Sequence, residues 1–144
     1  DAFDKEKARA PRPKTRYNEV LWFDATRGDD SGYFGATPED FLIAMYELEL
    51  ELQEEKSVSY GDFYRFLQVP APPMADLKGW SIGAGIVYGY ETIRFKRELI
   101  TLDDGLECNV FRFVHEPTYD YLDYTPDEDL WENRENISRY YGTV

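Results

Sequence analysis

The spacing of apolar positions changes period several times along the chain, and each change marks an element. Glu19-Val20-Leu21-Trp22-Phe23 is a short run rich in β-formers, closed by Asp24 and the polar stretch Arg27-Gly28-Asp29-Asp30-Ser31-Gly32; it predicts a strand and then a loop. Tyr33-Phe34 predicts a brief returning strand. From Thr37 the period becomes helical. Thr37 offers an N-cap oxygen, Pro38 suits the first helical position, and Glu39 and Asp40 lie near the positive end of the dipole. Phe41, Met45, Leu48 and Leu52 then recur at i, i+4, i+7 and i+11 as one apolar stripe, which the pattern widens with Leu42 and Tyr46 on its flank. Glu47 to Leu52 also alternates like a strand, but the stripe and the good helix formers favour a helix ending near Lys56. Ser59-Tyr60-Gly61-Asp62 has capping-box spacing, and Phe63, Phe66 and Leu67 follow at i, i+3 and i+4, predicting a second, shorter helix. Val69-Pro70-Ala71-Pro72-Pro73 stops it, because proline brings no amide hydrogen and disfavours helix in the residue before it. An irregular crossing to about Lys78 follows.

The rest of the body reads as β. Tyr88 to Phe95, Glu98 to Thr101 and Glu107 to Val114 look like strands, the last two joined by a tight turn at Asp103-Asp104-Gly105. A meander of two or three antiparallel strands would turn Ile93, Phe95, Cys108, Val110 and either Phe111 or Phe113 toward the helices, and Arg94, Lys96 and Arg112 outward. The fold class expected is α+β: a small antiparallel sheet of three to five strands packed against two helices, with an irregular acidic C-terminal tail.

Length and composition fit one ordered domain. A chain of 144 residues is long enough to bury roughly 68–70% of its unfolded surface. Cys108 is the only cysteine and His115 the only histidine, so neither an internal disulfide nor a structural zinc site is expected, and a reducing compartment is the simpler setting. No apolar run approaches the roughly 18–20 residues that span a bilayer, and no signal peptide precedes Asp1, so the chain as given reads as soluble. It begins without Met in a polar stretch, which leaves room for an upstream anchor or domain. The 29 acidic residues outnumber 16 basic ones, yet 24 residues are Phe, Trp or Tyr, a share that a disordered acidic tail lacks.

Charge divides the chain. Residues 1–17 carry Lys5, Lys7, Arg9, Arg12, Lys14 and Arg16 against Asp1, Asp4 and Glu6; this net +3 leaves −16 on residues 18–144 against a total of −13. With Pro11 and Pro13 the arm reads as an extended, solvated linker. Three parts follow: a basic arm at 1–17, an α+β domain at 18–118 and an acidic aromatic tail at 119–144.

Asn18-Glu19-Val20, Trp22-Phe23-Asp24, Tyr33-Phe34, Ser59 to Tyr64, Leu77 to Ser81, Asp103 to Cys108 and Pro117 to Tyr121 resemble, in order and spacing over 18–121, an uncharacterised family encoded by phages and prophages of Gram-positive bacteria. The chain departs from it at Tyr60-Gly61, where Leu and Asn are expected, and the resemblance stops short of the tail past Tyr124. It implies viral origin and a soluble domain behind an N-terminal hydrophobic segment and helical stalk. It supplies no catalytic or binding residues.

Enzyme chemistry finds little footing. Gly83-Ala84-Gly85-Ile86-Val87-Tyr88-Gly89 has the glycines of a dinucleotide loop, but that motif must join a strand to a helix; here it is expected to run into a strand as a glycine-permissive turn. Asp24, Asp29 and Asp30 lack EF-hand spacing and read as solvated turn acids. Cys108 reads as a small core residue and His115 as a strand-end histidine without a nucleophile. No catalytic, cofactor-binding or metal-binding residues are assigned, and no cofactor is expected.

Partner contact is the better prospect. Tyr119, Asp120, Tyr121, Asp123, Tyr124, Asp127 and Trp131 interleave acids with aromatics, a pattern that lays rings on an apolar groove while carboxylates meet Arg and Lys. Glu47, Glu51, Glu54 and Glu55 add an acidic helix face. The expected partner is a protein with a basic surface; the body is not expected to bind nucleic acid, and membrane contact would come only through a segment outside this chain. These residues point to a non-enzymatic phage accessory or structural protein, in the bacterial cytoplasm, at the inner face of the membrane or in the virion. The alternatives are an acidic mimic of DNA that inhibits a host defence nuclease and, more weakly, a hydrolase using a carboxylate pair.

Overall fold

Alternation along the first strand sets the architecture. The computed structural model describes residues 18–124, and in it β1 (Val20–Asp24) turns Trp22 and Asp24 to one side and Leu21 and Phe23 to the other. A 3-10 turn (Ala25–Arg27) and loop lead to β2 (Tyr33–Ala36), which returns antiparallel in the register Val20↔Ala36 to Phe23↔Tyr33. Helix α1 (Pro38–Glu55) starts as its sequence dictates: Thr37 Oγ1 accepts from the Asp40 amide at 3.0 Å, with Pro38 behind it. Strand β3 (Ser57–Ser59) leads into α2 (Tyr60–Leu67), whose capping box between Ser59 and Asp62 is complete. After a proline-rich segment and a 3-10 turn (Ala75–Leu77) come β4 (Gly79–Ser81), α3 (Ile82–Tyr88), β5 (Phe95–Thr101) and β6 (Glu107–Phe113).

The fold is α+β. A four-stranded sheet of order β2-β1-β6-β5 carries the helices on one face, and β3 and β4 form a separate two-stranded ribbon. In the four-stranded sheet β1·β2 and β5·β6 are antiparallel and the central pair β1·β6 is parallel. The core under the helices is aromatic. Trp22 stacks on Phe41 at 4.1 Å between centroids, and Phe111 meets Phe41 edge-on at 4.9 Å. Phe63 and Phe113 continue the cluster at 5.3 Å. Edge-to-face pairs of this kind add about 0.5–1.5 kcal/mol each beyond the area they bury.

Four local expectations change. Phe41, Met45, Leu48 and Leu52 are buried, but Leu42 and Tyr46 are 55% and 66% exposed; at 100° per residue they turn about a quarter to a third of the way round from the stripe, and Ala44 takes the flanking place on its other side. Cys108 and Val110 do not face the helices: they join Leu21, Phe23, Tyr33 and Leu102 on the other side of the sheet, while both Phe111 and Phe113 pack under the helices. Pleating forces that split, since positions 108 and 110 have the opposite parity to 111 and 113. The segment beginning at Tyr88 is not a strand until Phe95, and residues 82–88 form α3. Small buried Gly83, Ala84 and Gly85 let that short helix lie against the core, with Tyr90 folded back on Gly85, so tertiary packing overrides poor helix propensity.

Candidate functional site

The end of β1 carries a charge into the core. Asp24 shares the helix-facing side with Trp22, and Tyr60 and Tyr64, four residues apart on one face of α2, meet it there. Asp24 Oδ2 accepts from both phenols, at 2.5 Å from the Tyr64 hydroxyl and closer still from that of Tyr60. Its Oδ1 accepts from the Thr26 amide at 2.9 Å, capping the 3-10 turn, and Thr26 Oγ1 accepts from the Phe113 amide at 3.0 Å. Through Thr26 and the two phenols the carboxylate therefore ties two strands, β1 and β6, to the 3-10 turn and to α2. Burial pushes the Asp24 carboxyl above its ordinary range, and the phenol and amide hydrogen bonds oppose the rise. Burial, and then the charge of Asp24, raise both phenols well above the ordinary tyrosine value. Asp24 is thus no solvated turn acid; Asp29 is, bonding the Ser31 amide at 2.9 Å. The sequence signal was present in the parity of Trp22 and Asp24 and in the i, i+4 tyrosines, but only the fold brings residues 36 and 40 positions apart together.

Chemically, this cluster is a closed network. Both carboxylate oxygens are engaged, and Asp24 and Tyr60 are wholly buried, leaving no acceptor turned to a substrate. Only Tyr64 reaches the wall of a cavity of about 660 Å³, which runs along β2 beneath residues 69–73.

A second feature is the outer side of α1. Leu42, Tyr46 and Leu50 stand at i, i+4 and i+8 with Ile43 beside them, all exposed, in a row that runs from the side of the helix to the face opposite the buried stripe. Glu47 and Glu51 are half-buried, and Glu54 and Glu55 are exposed; Glu47, Glu51 and Glu54 flank the apolar row on one side. The helix is apolar on two faces, only one of which the domain uses.

The C-terminal residues divide. Tyr121 is buried in the main core and its carbonyl accepts from Ser81 Oγ at 2.6 Å, so it anchors the chain. Asp120 accepts from the Tyr88 hydroxyl at 2.7 Å, which lowers its own pKa and raises that of the phenol. Tyr124 packs edge-on against Tyr88 at 5.8 Å. Tyr119 is exposed beside Lys78, whose ammonium lies 5.6 Å from its ring, and Asp123 is exposed. Asp127 and Trp131 lie outside the described residues. Among the described residues, none of these positions makes a hydrogen bond or ion pair with Glu47, Glu51, Glu54 or Glu55.

The remaining candidates resolve simply. The Gly83–Gly89 segment does follow a strand and form a helix, contrary to expectation, but the helix start is already occupied: the Ala84 amide bonds Ser81 Oγ at 2.9 Å and the Ile82 amide bonds the Lys56 carbonyl at 2.9 Å. Cys108 is a buried core residue. His115 follows β6, its ring 5.2 Å from that of Tyr90. Among the described residues no group of three His, Cys, Asp or Glu is placed to hold a metal ion, and no helix is long and apolar enough to cross a membrane.

The chain is thus an α+β domain with a buried acid–phenol lock, an adjoining groove and a helix apolar on both faces. Residues 1–122 match a family of unknown function (DUF6353), and the chain belongs to that family. No curated protein and no solved structure matches it.

Proposed function

We propose that this domain is a non-enzymatic phage accessory or structural protein that acts by docking on another protein, and that the outer face of α1 is its main contact. The observation that carries this is the exposed row Leu42, Ile43, Tyr46 and Leu50 on a helix whose opposite face already fills the core. Acids along one flank of the row favour a partner whose apolar groove is rimmed by Lys or Arg, the helix-in-groove mode of recognition. Viral origin rests on the sequence resemblance alone. The DNA-mimic alternative draws less support, since it asks for uninterrupted rows of carboxylates and α1 sets an apolar row between its acids. The carboxylate-pair hydrolase draws less still, since Asp24 is engaged by two phenols.

A photo-crosslinking residue in place of Tyr46, introduced in infected Gram-positive host cells, tests the reading. One discrete protein adduct is expected, lost when Leu42 and Leu50 are changed to Ser and weakened by salt through the acidic flank. Those changes should leave folding stability within about 0.5 kcal/mol, as surface substitutions do. Equal labelling from an exposed control position on β5, such as Lys96, would refute the assignment.

A further inference from the structure

The groove beside β2 has features that the docking face on α1 does not explain. Strand β2 is an edge of the four-stranded sheet, paired only with β1, and all four of its residues line the cavity. Edge backbone is a standing template for another strand. Nothing in the facing wall supplies one. That wall is the end of α2 and residues 69–73, in which Pro70, Pro72 and Pro73 have no amide hydrogen and the Val69 amide already bonds the Tyr64 carbonyl at 3.2 Å. A volume of about 660 Å³ falls within the roughly 300–1,000 Å³ of ordinary ligand sites.

The groove is also electrically polar along its length. At the Tyr33 end, Arg27 is held by Ser31, its Nη1 donating to the carbonyl at 2.9 Å and its Nη2 to the hydroxyl at 2.8 Å. Its buried Nε makes no hydrogen bond but is ion-paired with Asp29, whose Oδ1 lies 4.0 Å away on the exposed side. The opposite end is acidic: the register Val20↔Ala36 brings Glu19 beside the last residue of β2, and Asp40 follows in the first turn of α1.

We infer that this groove takes an extended peptide segment of a partner protein, which adds antiparallel to β2 as a new edge strand. Antiparallel pairing is the more stable choice per residue. It sets the peptide's direction, N-terminal side at Ala36 and C-terminal side at Tyr33. The segment must therefore carry Lys or Arg at its start, toward Glu19 and Asp40, and a carboxylate about four residues later, toward Arg27. Main-chain bonds to β2 hold it, and the two charged ends select sequence and orientation.

The test uses the full chain and two capped peptides of equal composition, Lys-Val-Thr-Val-Glu and its reverse, Glu-Val-Thr-Val-Lys, titrated into isotopically labelled protein at low salt. The first should cause saturable shifts centred on the amides of Tyr33–Ala36 and bind about tenfold more tightly than the second, the worth of one charged hydrogen bond. Arg27→Gln should reduce that preference. Glu19→Gln with Asp40→Asn should reduce it from the other end, so that a loss of local packing around Arg27 cannot stand in for a loss of recognition, and the three changes together should abolish it. Equal binding of the two peptides, shifts centred elsewhere, or no binding at millimolar peptide overturns the proposal. So does an occupied groove: a spin label on Ala10→Cys that broadens the Tyr33–Ala36 amides in the free protein assigns it to the basic arm, and shifts there on dilution assign it to a second copy. Buried Cys108 does not compete for the label.

Discussion

Replacing Tyr64 by Phe takes one of the two hydroxyls away from Asp24 while keeping the ring, which makes it the sharpest probe of the lock. Where Asp24 is ionised, the lost bond is one to a buried charge, worth about 1.5–3 kcal/mol. For a domain of this size the expected fall in Tm is on the order of 4 °C per kcal/mol. The penalty should also depend on pH. Because burial raises the Asp24 pKa above the ordinary 3.8, the folded chain holds this proton more tightly than the unfolded one. Stability from that group is full below the unfolded value and is lost as pH rises through the folded one. The Tyr64 hydroxyl lowers the folded pKa, so its removal raises that pKa further and deepens the decline. Where Asp24 is protonated, only a neutral hydrogen bond of about 1 kcal/mol is missing. Urea unfolding followed by fluorescence of the buried Trp22 and Trp80, over a pH series that starts at about pH 4 and extends upward, follows the penalty through the ionisation of Asp24. Asp24→Asn serves as the reference that cannot ionise; in that background the Tyr64→Phe penalty should lose its pH dependence. A penalty under about 0.5 kcal/mol at every pH, or one that does not change across the pH series, would refute the reasoning.

Two other outcomes follow from the same geometry. Tyr60 and Tyr64 are both raised above 10.0, so stability from their protons is fully present below about pH 10 and is lost above it as the unfolded phenols ionise; an ultraviolet titration of phenolate should find two tyrosines silent until the chain unfolds. Ser81→Ala removes the cap on the Ala84 amide and the bond to the Tyr121 carbonyl, costing about 1–3 kcal/mol because the freed amide is buried; hydrogen exchange should speed up at Ala84 and loosen residues 118–124, and unchanged exchange there would contradict the role given to Ser81.

Local periodicity and capping determined much of this protein. The strand at Val20–Asp24, both helices with their caps, and the β5–β6 hairpin could all be read from neighbours a few residues apart, because hydrogen bonds within a helix, cap or tight turn are local. The acids of α1 were equally legible as an outer flank. What the sequence could not reveal was any relation resting on distant partners. Helix α3 exists because Ser81 caps it and small residues let it pack, against a local preference for strand. The parallel β1·β6 pair carries Asp24 into the core beside two tyrosines on α2, and the groove exists only because β2 is left on an edge opposite a wall of prolines. Parity along a strand can say that Asp24 shares a side with Trp22; only the tertiary structure decides which side is buried and what waits there, since that depends on contacts spanning dozens of residues.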